Sequence, residues 1–311
     1  MKIIILLLVF FYIQPAMTAT TLALNWKAEP EFGGFYAAEL EGFFKQQGLN
    51  VEIIQGGSGT PTVQMLANKK TDFAIVSADE IILSQDRSNK NKVKALYAVY
   101  QTAPYIVMTH EERHFQSIKD IFSSEGILAI QSGLPYFQYL IKKFGPPKAK
   151  IVPYLGGVGN FVSDKNFSQQ GFITTEPLSA EGAGVKVKKF LIADEGFNPY
   201  LVVLATTEDT LKNHPDLVKK FVRACDLGWQ SYLENPDKVN SYMSQLNKAL
   251  GLETFKKAAE AQKPLIEVKD TKLGSMSEKR WQQLAQQLKD LNLIKTLPKA
   301  KELYEVLDFN K

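Results

Sequence analysis

The chain has 311 residues, 37 Lys and Arg against 33 Asp and Glu, a formal charge of +4 and a single cysteine. Interspersed, near-balanced charge leaves no footprint for nucleic acid, and a lone Cys225 excludes both a disulfide scaffold and a lipid-carrying thiol behind a leader. Stability must come from an ordinary core, which a chain of this length builds most naturally as two domains.

Residues 1–19 run from Lys2 through the apolar stretch Ile3 to Ile13 and Pro15 to Ala16-Met17-Thr18-Ala19, the order of a secretory signal peptide. The apolar run is about half of the roughly 20 residues a spanning helix needs. Cleavage near Ala19 and a soluble mature protein in the periplasm are the expectation.

Periodicity then predicts a strand over 21–26, a helix over 35–47, a strand over 51–55, a helix over 60–68 and a strand over 73–77. Such βαβαβ order calls for a parallel sheet whose ligands bind beyond the carboxyl ends of its strands. Three strand ends become candidate sites: Asn25-Trp26, Gly56 to Thr60, and Ser77-Ala78-Asp79. An apolar run over 93–100 leads through Gln101 to Pro104 into an extended segment at 105–109, read as a crossing into a second lobe. There the pattern restarts with a helix at 118–122, strands at 127–130, 150–153 and 170–174, and a helix at 135–143. The apolar run over 201–206 carries the chain back, so that lobe 1 comprises 20–103 with 204–311, and lobe 2 comprises 104–203. From His214 onward the three-and-four spacing of Leu217, Phe221, Cys225, Trp229 and Tyr232 opens a helical region that packs on the first lobe. The fold class is α/β, two lobes joined by two crossing strands.

Enzyme chemistry finds little support. His110 and His114 have the spacing of a helical metal pair but no further evident ligand, and they read as a solvated loop. Cys225 has no neighbouring base, and no nucleophile elbow is present. The run Gly56-Gly57-Ser58-Gly59-Thr60 lacks the lysine of a nucleotide loop; it offers either backbone N–H groups and hydroxyls to a ligand oxygen or a plain turn.

Trp26, Glu29, Phe32 and Tyr36 surround the first strand end, and aromatic faces with a carboxylate suit a planar, nitrogen-containing ligand. Glu31 is expected to face solvent. In the second lobe the loop positions Ser132, Asn160 and Glu176 are candidates, and Tyr200 either caps the ligand or packs in the hinge.

Leu24-Asn25-Trp26, Glu29-Pro30, Gly33 to Ala38, Glu41 to Lys45, Gly48 to Ile53, Asp72 to Asp79 and Asn213 to Phe221 together resemble the thiamine pyrimidine synthase-like and sulfonate/nitrate-binding family. The resemblance implies a periplasmic-binding-protein type II fold whose members hand a small ligand to an ABC importer. It also implies that Trp26, Tyr36, Ser58, Ser77 and Asp79 line one wall, with Glu176 opposite. The Asn-Trp start with Glu-Pro nearby is similar to the pyrimidine-binding branch. The implied partners are a small molecule and a membrane permease, with no nucleic acid, no cofactor, no metal and a monomeric state. Alternatives are a sulfonate, nitrate or riboflavin binder, a secreted sensory module, or a homologue of the pyrimidine-forming enzyme. That enzyme branch carries a cysteine-rich motif, which is missing here, and function resides in the site, not the scaffold.

Overall fold

The computed structural model describes residues 19–87, 91–131 and 133–307. The leader residues 1–18 and the candidate Ser132 lie outside the described residues.

Ten strands form two sheets. The first contains β1 (Thr20–Ala23), β2 (Val51–Ile54), β3 (Phe73–Val76), β4 (Val93–Tyr100) and β10 (Leu201–Thr207), in the order β2-β1-β3-β10-β4. The second contains β5 (Tyr105–His110), β6 (Ile127–Ile130), β7 (Lys150–Pro153), β8 (Phe167–Phe172) and β9 (Val187–Leu191), in the order β7-β6-β8-β5-β9. In each, three parallel strands are joined by one antiparallel strand that has crossed over: β10 beside β3, and β5 beside β8. Central strands are apolar on both faces, as Phe73-Ala74-Ile75-Val76 shows, because helices cover both sides.

Several expectations need correction. The helix expected over 35–47 is two helices, Gly33–Leu40 and Phe43–Gln46, because Gly42 takes a left-handed φ of +79° between them. The strand expected at 170–174 lies at 167–172, and the helices Ala78–Arg87 and Glu176–Gly182 and the strand β9 went unread. His110 is no loop residue: it closes β5, is buried, and stacks its ring on Phe161 at 4.3 Å with Nε2 2.7 Å from the Phe161 carbonyl. The return to the first sheet comes ahead of residue 204, since Leu201 already pairs with Tyr100.

The helix Pro215–Glu234 packs along Gly33–Leu40 at unusually short range. A Cβ on Gly34 would lie 2.2 Å from the Trp229 ring, and one on Gly228 would lie 2.2 Å from the Gly34 carbonyl oxygen. These contacts fix the start of Gly33–Leu40, and therefore the turn before it that carries Glu29 and Glu31.

The C-terminal helices pack on the first lobe and also govern the crossings. Leu265 O accepts hydrogen bonds from Gln101 N and Thr102 N, both at 2.9 Å. Arg280, on the helix Glu278–Asp290, holds both crossings at once: it donates to Gln101 O at 2.6 Å on the outward path and to Asn198 O, Asn198 Oδ1 and Pro199 O at 3.0, 2.9 and 3.1 Å on the return. Its guanidinium also lies 3.8 Å from the Tyr200 ring centroid. Just beyond, Val202 holds a φ of +49°, a region that β-branched residues avoid.

Candidate ligand-binding cleft

The carboxyl ends of β1 and β3 face the second lobe across a seam. Trp26 is fixed there by its own carbonyl, which accepts from Gly56 N at 2.9 Å. Only glycine permits that approach, since a Cβ on Gly56 would sit 2.2 Å from Leu24 O. Glu29 follows in extended conformation, and Pro30 starts a single 3-10 turn, Pro30–Phe32, for which its fixed φ is suited. The turn is pinned from the C-terminal region: Tyr100 OH donates to Gln262 Oε1 at 2.7 Å, and Gln262 Nε2 donates to Pro30 O at 2.9 Å.

This turn directs both Glu29 and Glu31 inward, each 7% exposed. The expectation that Glu31 faces solvent is thereby overturned. Glu29 Oε1 accepts from Trp26 Nε1 at 3.1 Å and Asn247 Nδ2 at 3.4 Å, and Oε2 accepts from the Thr175 hydroxyl of the second lobe at 3.4 Å. That last contact spans the seam, so the lobes are closed on each other. On the far side Glu176 accepts from Tyr154 OH at 2.6 Å and from Phe172 N at 2.7 Å. Among the described residues, no hydrogen bond or ion pair reaches the Glu31 carboxylate.

Electrostatics follow from that burial. Desolvation, then the facing charge of Glu176, push the Glu29 carboxyl up to about 7, against partial relief from Trp26, Thr175 and Lys27. Desolvation raises Glu31 well above the usual carboxylate range, with Glu29 and Glu176 adding to it. Glu176 is raised by burial and partly relieved by Tyr154 and Phe172 N. Farther along the seam, Asp79 is 3% exposed, its Oδ1 has no partner, and desolvation followed by Glu80 raises it to about 6. Tyr105 lies between the two groups: it feels the charges of both Asp79 and Glu31, and its ring packs 5.0 Å from Tyr136 and 5.2 Å from Phe172.

Trp26, Glu29 and Glu176 therefore come together, with Asp79 along the same seam. Ser77 spends its N–H and hydroxyl on Glu80 Oε2, at 2.9 and 3.0 Å. The glycine loop closes on itself: Gly57 N donates to Thr60 Oγ1 at 2.8 Å, while Ser58 and Gly59 stand exposed. Asn160 is exposed on the helix Gly159–Ser163. Tyr36 is buried, its ring 6.0 Å from Tyr242, and its hydroxyl, which has no hydrogen-bond partner among the described residues, is raised by burial and Glu39. Of the two roles left open for Tyr200, the geometry gives the hinge: its hydroxyl accepts from Ser277 N at 3.0 Å beneath Arg280. Phe32 is core, fully buried. Sequence reasoning set Glu31 in solvent and passed over Tyr154 and Asn247; Tyr154 directly follows β7, so the strand-end rule used for the first lobe would have found it.

Two α/β lobes, crossed twice by the chain and meeting at a polar, aromatic-rimmed seam, define a two-lobed solute-binding architecture. The family model described as NMT1/THI5 like matches residues 29–239, and the chain belongs to that family. A riboflavin-binding protein of Chloroflexus aurantiacus is 24% identical over 238 residues, 72% of this chain and 65% of that relative, so the chain spans just under two thirds of its length. A formylaminopyrimidine-binding protein of Halalkalibacterium halodurans is 25% identical over 255 residues, 76% of each chain. The periplasmic aliphatic sulphonate-binding protein of Escherichia coli shares the fold, with a TM-score of 0.72 at 9% identity over 94% of each chain.

Proposed function

We propose that the chain is the periplasmic solute-binding component of an ABC importer, and that it closes on an aminopyrimidine or related N-heterocycle and presents it to a membrane permease. The observation that carries the reading is the pairing across the seam of Trp26-Glu29 with Tyr154-Glu176. Aromatic rims supply contact area, and carboxylates accept from ring and exocyclic N–H groups, so a ligand lacking those donors leaves a buried acceptor unpaired. A naked sulphonate or nitrate in the same place would meet Glu29, Glu31 and Glu176, which makes the anion-binding alternative the weaker one. The relatives' binding of formylaminopyrimidine and riboflavin, both nitrogen heterocycles, is consistent with this.

A cleaved leader in residues 1–19, export to the periplasm and a monomeric state complete the proposal. Among the described residues no helix is long and apolar enough to cross a membrane. The test is calorimetric titration with a formylaminopyrimidine, riboflavin and an alkanesulphonate. Binding of a heterocycle that Trp26→Ala weakens supports the reading. Binding of the sulphonate alone, or heterocycle binding indifferent to Trp26, contradicts it.

A further inference from the structure

We propose that the cleft selects an organic cation, an aminated aromatic ring bearing a positive charge, and that Glu31 sets this selectivity. The inference rests on the seam being the ligand site and adds to it the charge of the guest.

Glu31 is 7% exposed and, among the described residues, receives no hydrogen bond and no ion pair. It shares its surroundings with two further carboxylates, Glu29 and Glu176. A second and separate observation lies along the seam, where Asp79 is 3% exposed and its Oδ1 is also without a partner. None of the ion pairs formed by the described residues includes Glu29, Glu31, Glu176 or Asp79. Lys27 is exposed and only moderates Glu29.

Buried acids without cationic partners are costly to a fold; burial raises Glu29 and Glu31 so that protons neutralise them in the ligand-free protein, and a metal ion or a charged guest would take over that role. Among the described residues no three acidic, His or Cys side chains converge as metal ligands. An organic cation is larger and needs no such convergence. Its N–H groups can be shared among acceptors several ångströms apart, while its ring rests on aromatic side chains. Glu29 and Glu176 already accept from Trp26, Tyr154 and Phe172 N, so their remaining capacity is partial. The Glu31 carboxylate has its whole acceptor capacity free, which makes it the group most changed by a cation's arrival.

A matched pair of probes reads the charge directly: an N-formyl aminomethylpyrimidine, neutral at its side-chain nitrogen, and its deformylated aminomethyl compound, a primary alkylamine charged there at neutral pH. Both are titrated calorimetrically into the full chain and into Glu31→Gln. The expected result is an amine bound at least tenfold tighter than the formyl compound, with that preference reduced at least tenfold in Glu31→Gln. Equal affinities, a preference for the formyl compound, or a preference unchanged in Glu31→Gln overturns the proposal and leaves the seam as the ligand site. If neither probe binds, the molecule released on denaturing natively purified protein decides. A cation whose retention falls in Glu31→Gln supports the proposal, and a neutral or anionic molecule overturns it. Retention undiminished by both Trp26→Ala and Glu176→Gln places the ligand outside the seam and defeats the functional reading as well. Glu31→Gln is expected to fold, because it replaces an unpartnered buried acid by its neutral isostere.

Discussion

The front and the back of the seam between the lobes are built on opposite terms. At the back, one cation, Arg280, gives hydrogen bonds to four acceptors on the two crossings and rests on Tyr200. At the front, Glu29, Glu31 and Glu176 are buried together with no cation paired to any of them among the described residues. The back is satisfied by this chain's own groups and, under the proposed function, would serve as the pivot. Under the proposed function, the front is where a guest would partner those carboxylates, as in a clamp whose closed state is favoured by its guest.

The largest way to break this contrast is at the back. Arg280→Ala strands the carbonyls of Gln101, Asn198 and Pro199, and it is expected to cost about 3–5 kcal/mol, a drop on the order of 10 °C in melting temperature followed by circular dichroism. Arg280→Lys keeps the charge but not the fork, and most of the loss should remain.

At the front, pH is the lever. A carboxyl whose pKa is raised in the folded state, like Glu29 from 4.5 to about 7, favours the folded state fully below pH 4.5 and loses that contribution as pH rises through 7. Asp79, raised to about 6, acts in the same direction. Ligand-free protein should therefore lose stability between pH 5 and 8, by up to about 3 kcal/mol from Glu29, and Glu29→Gln should flatten that slope in denaturant titrations. An unchanged slope would mean that Glu29 is charged and satisfied.

Smaller effects sharpen the comparison. Trp26→Ala removes a rim ring and a donor to Glu29, and it should weaken heterocycle binding by roughly 10–100-fold, or about 1.4–2.8 kcal/mol, in calorimetry. Glu31→Gln should raise the melting temperature of the ligand-free protein by a few degrees at pH 8, on the order of 1 kcal/mol, because no partner is lost with the charge. A substitution that stabilises the empty protein while eroding selectivity marks a position held for function.

Much of the architecture was legible because alternating apolar strands and amphipathic helices carry their periods openly in 20–100 and 215–291. β8 was misplaced because Ser168, Gln169 and Gln170 are polar yet buried, and polar residues read as loop. Partners distant in sequence satisfy them: Arg113 and Thr109 for Ser168, Gly157 O for Gln169, and Gln131 N with Tyr136 OH for Gln170. β9 was missed as an edge strand in which Lys188 and Lys189 face solvent. In the cleft, Trp26, Glu29 and Glu176 were legible from strand ends and resemblance. Glu31 was not, because its direction depends on a three-residue turn held by Gln262, 231 positions away. The Tyr36 ring contact with Tyr242 was not legible, because an aromatic one turn into a helix reads the same whether it faces a ligand or another ring.

A crystal structure of the protein with its co-purified or added heterocycle tests the central claim most directly. The ring should lie between Trp26 and Tyr154, with its N–H groups on Glu29, Glu31 and Glu176 and the Arg280 contacts unchanged. A guest found on an outer face of either lobe, with those carboxylates still facing one another across an empty seam, would contradict the account.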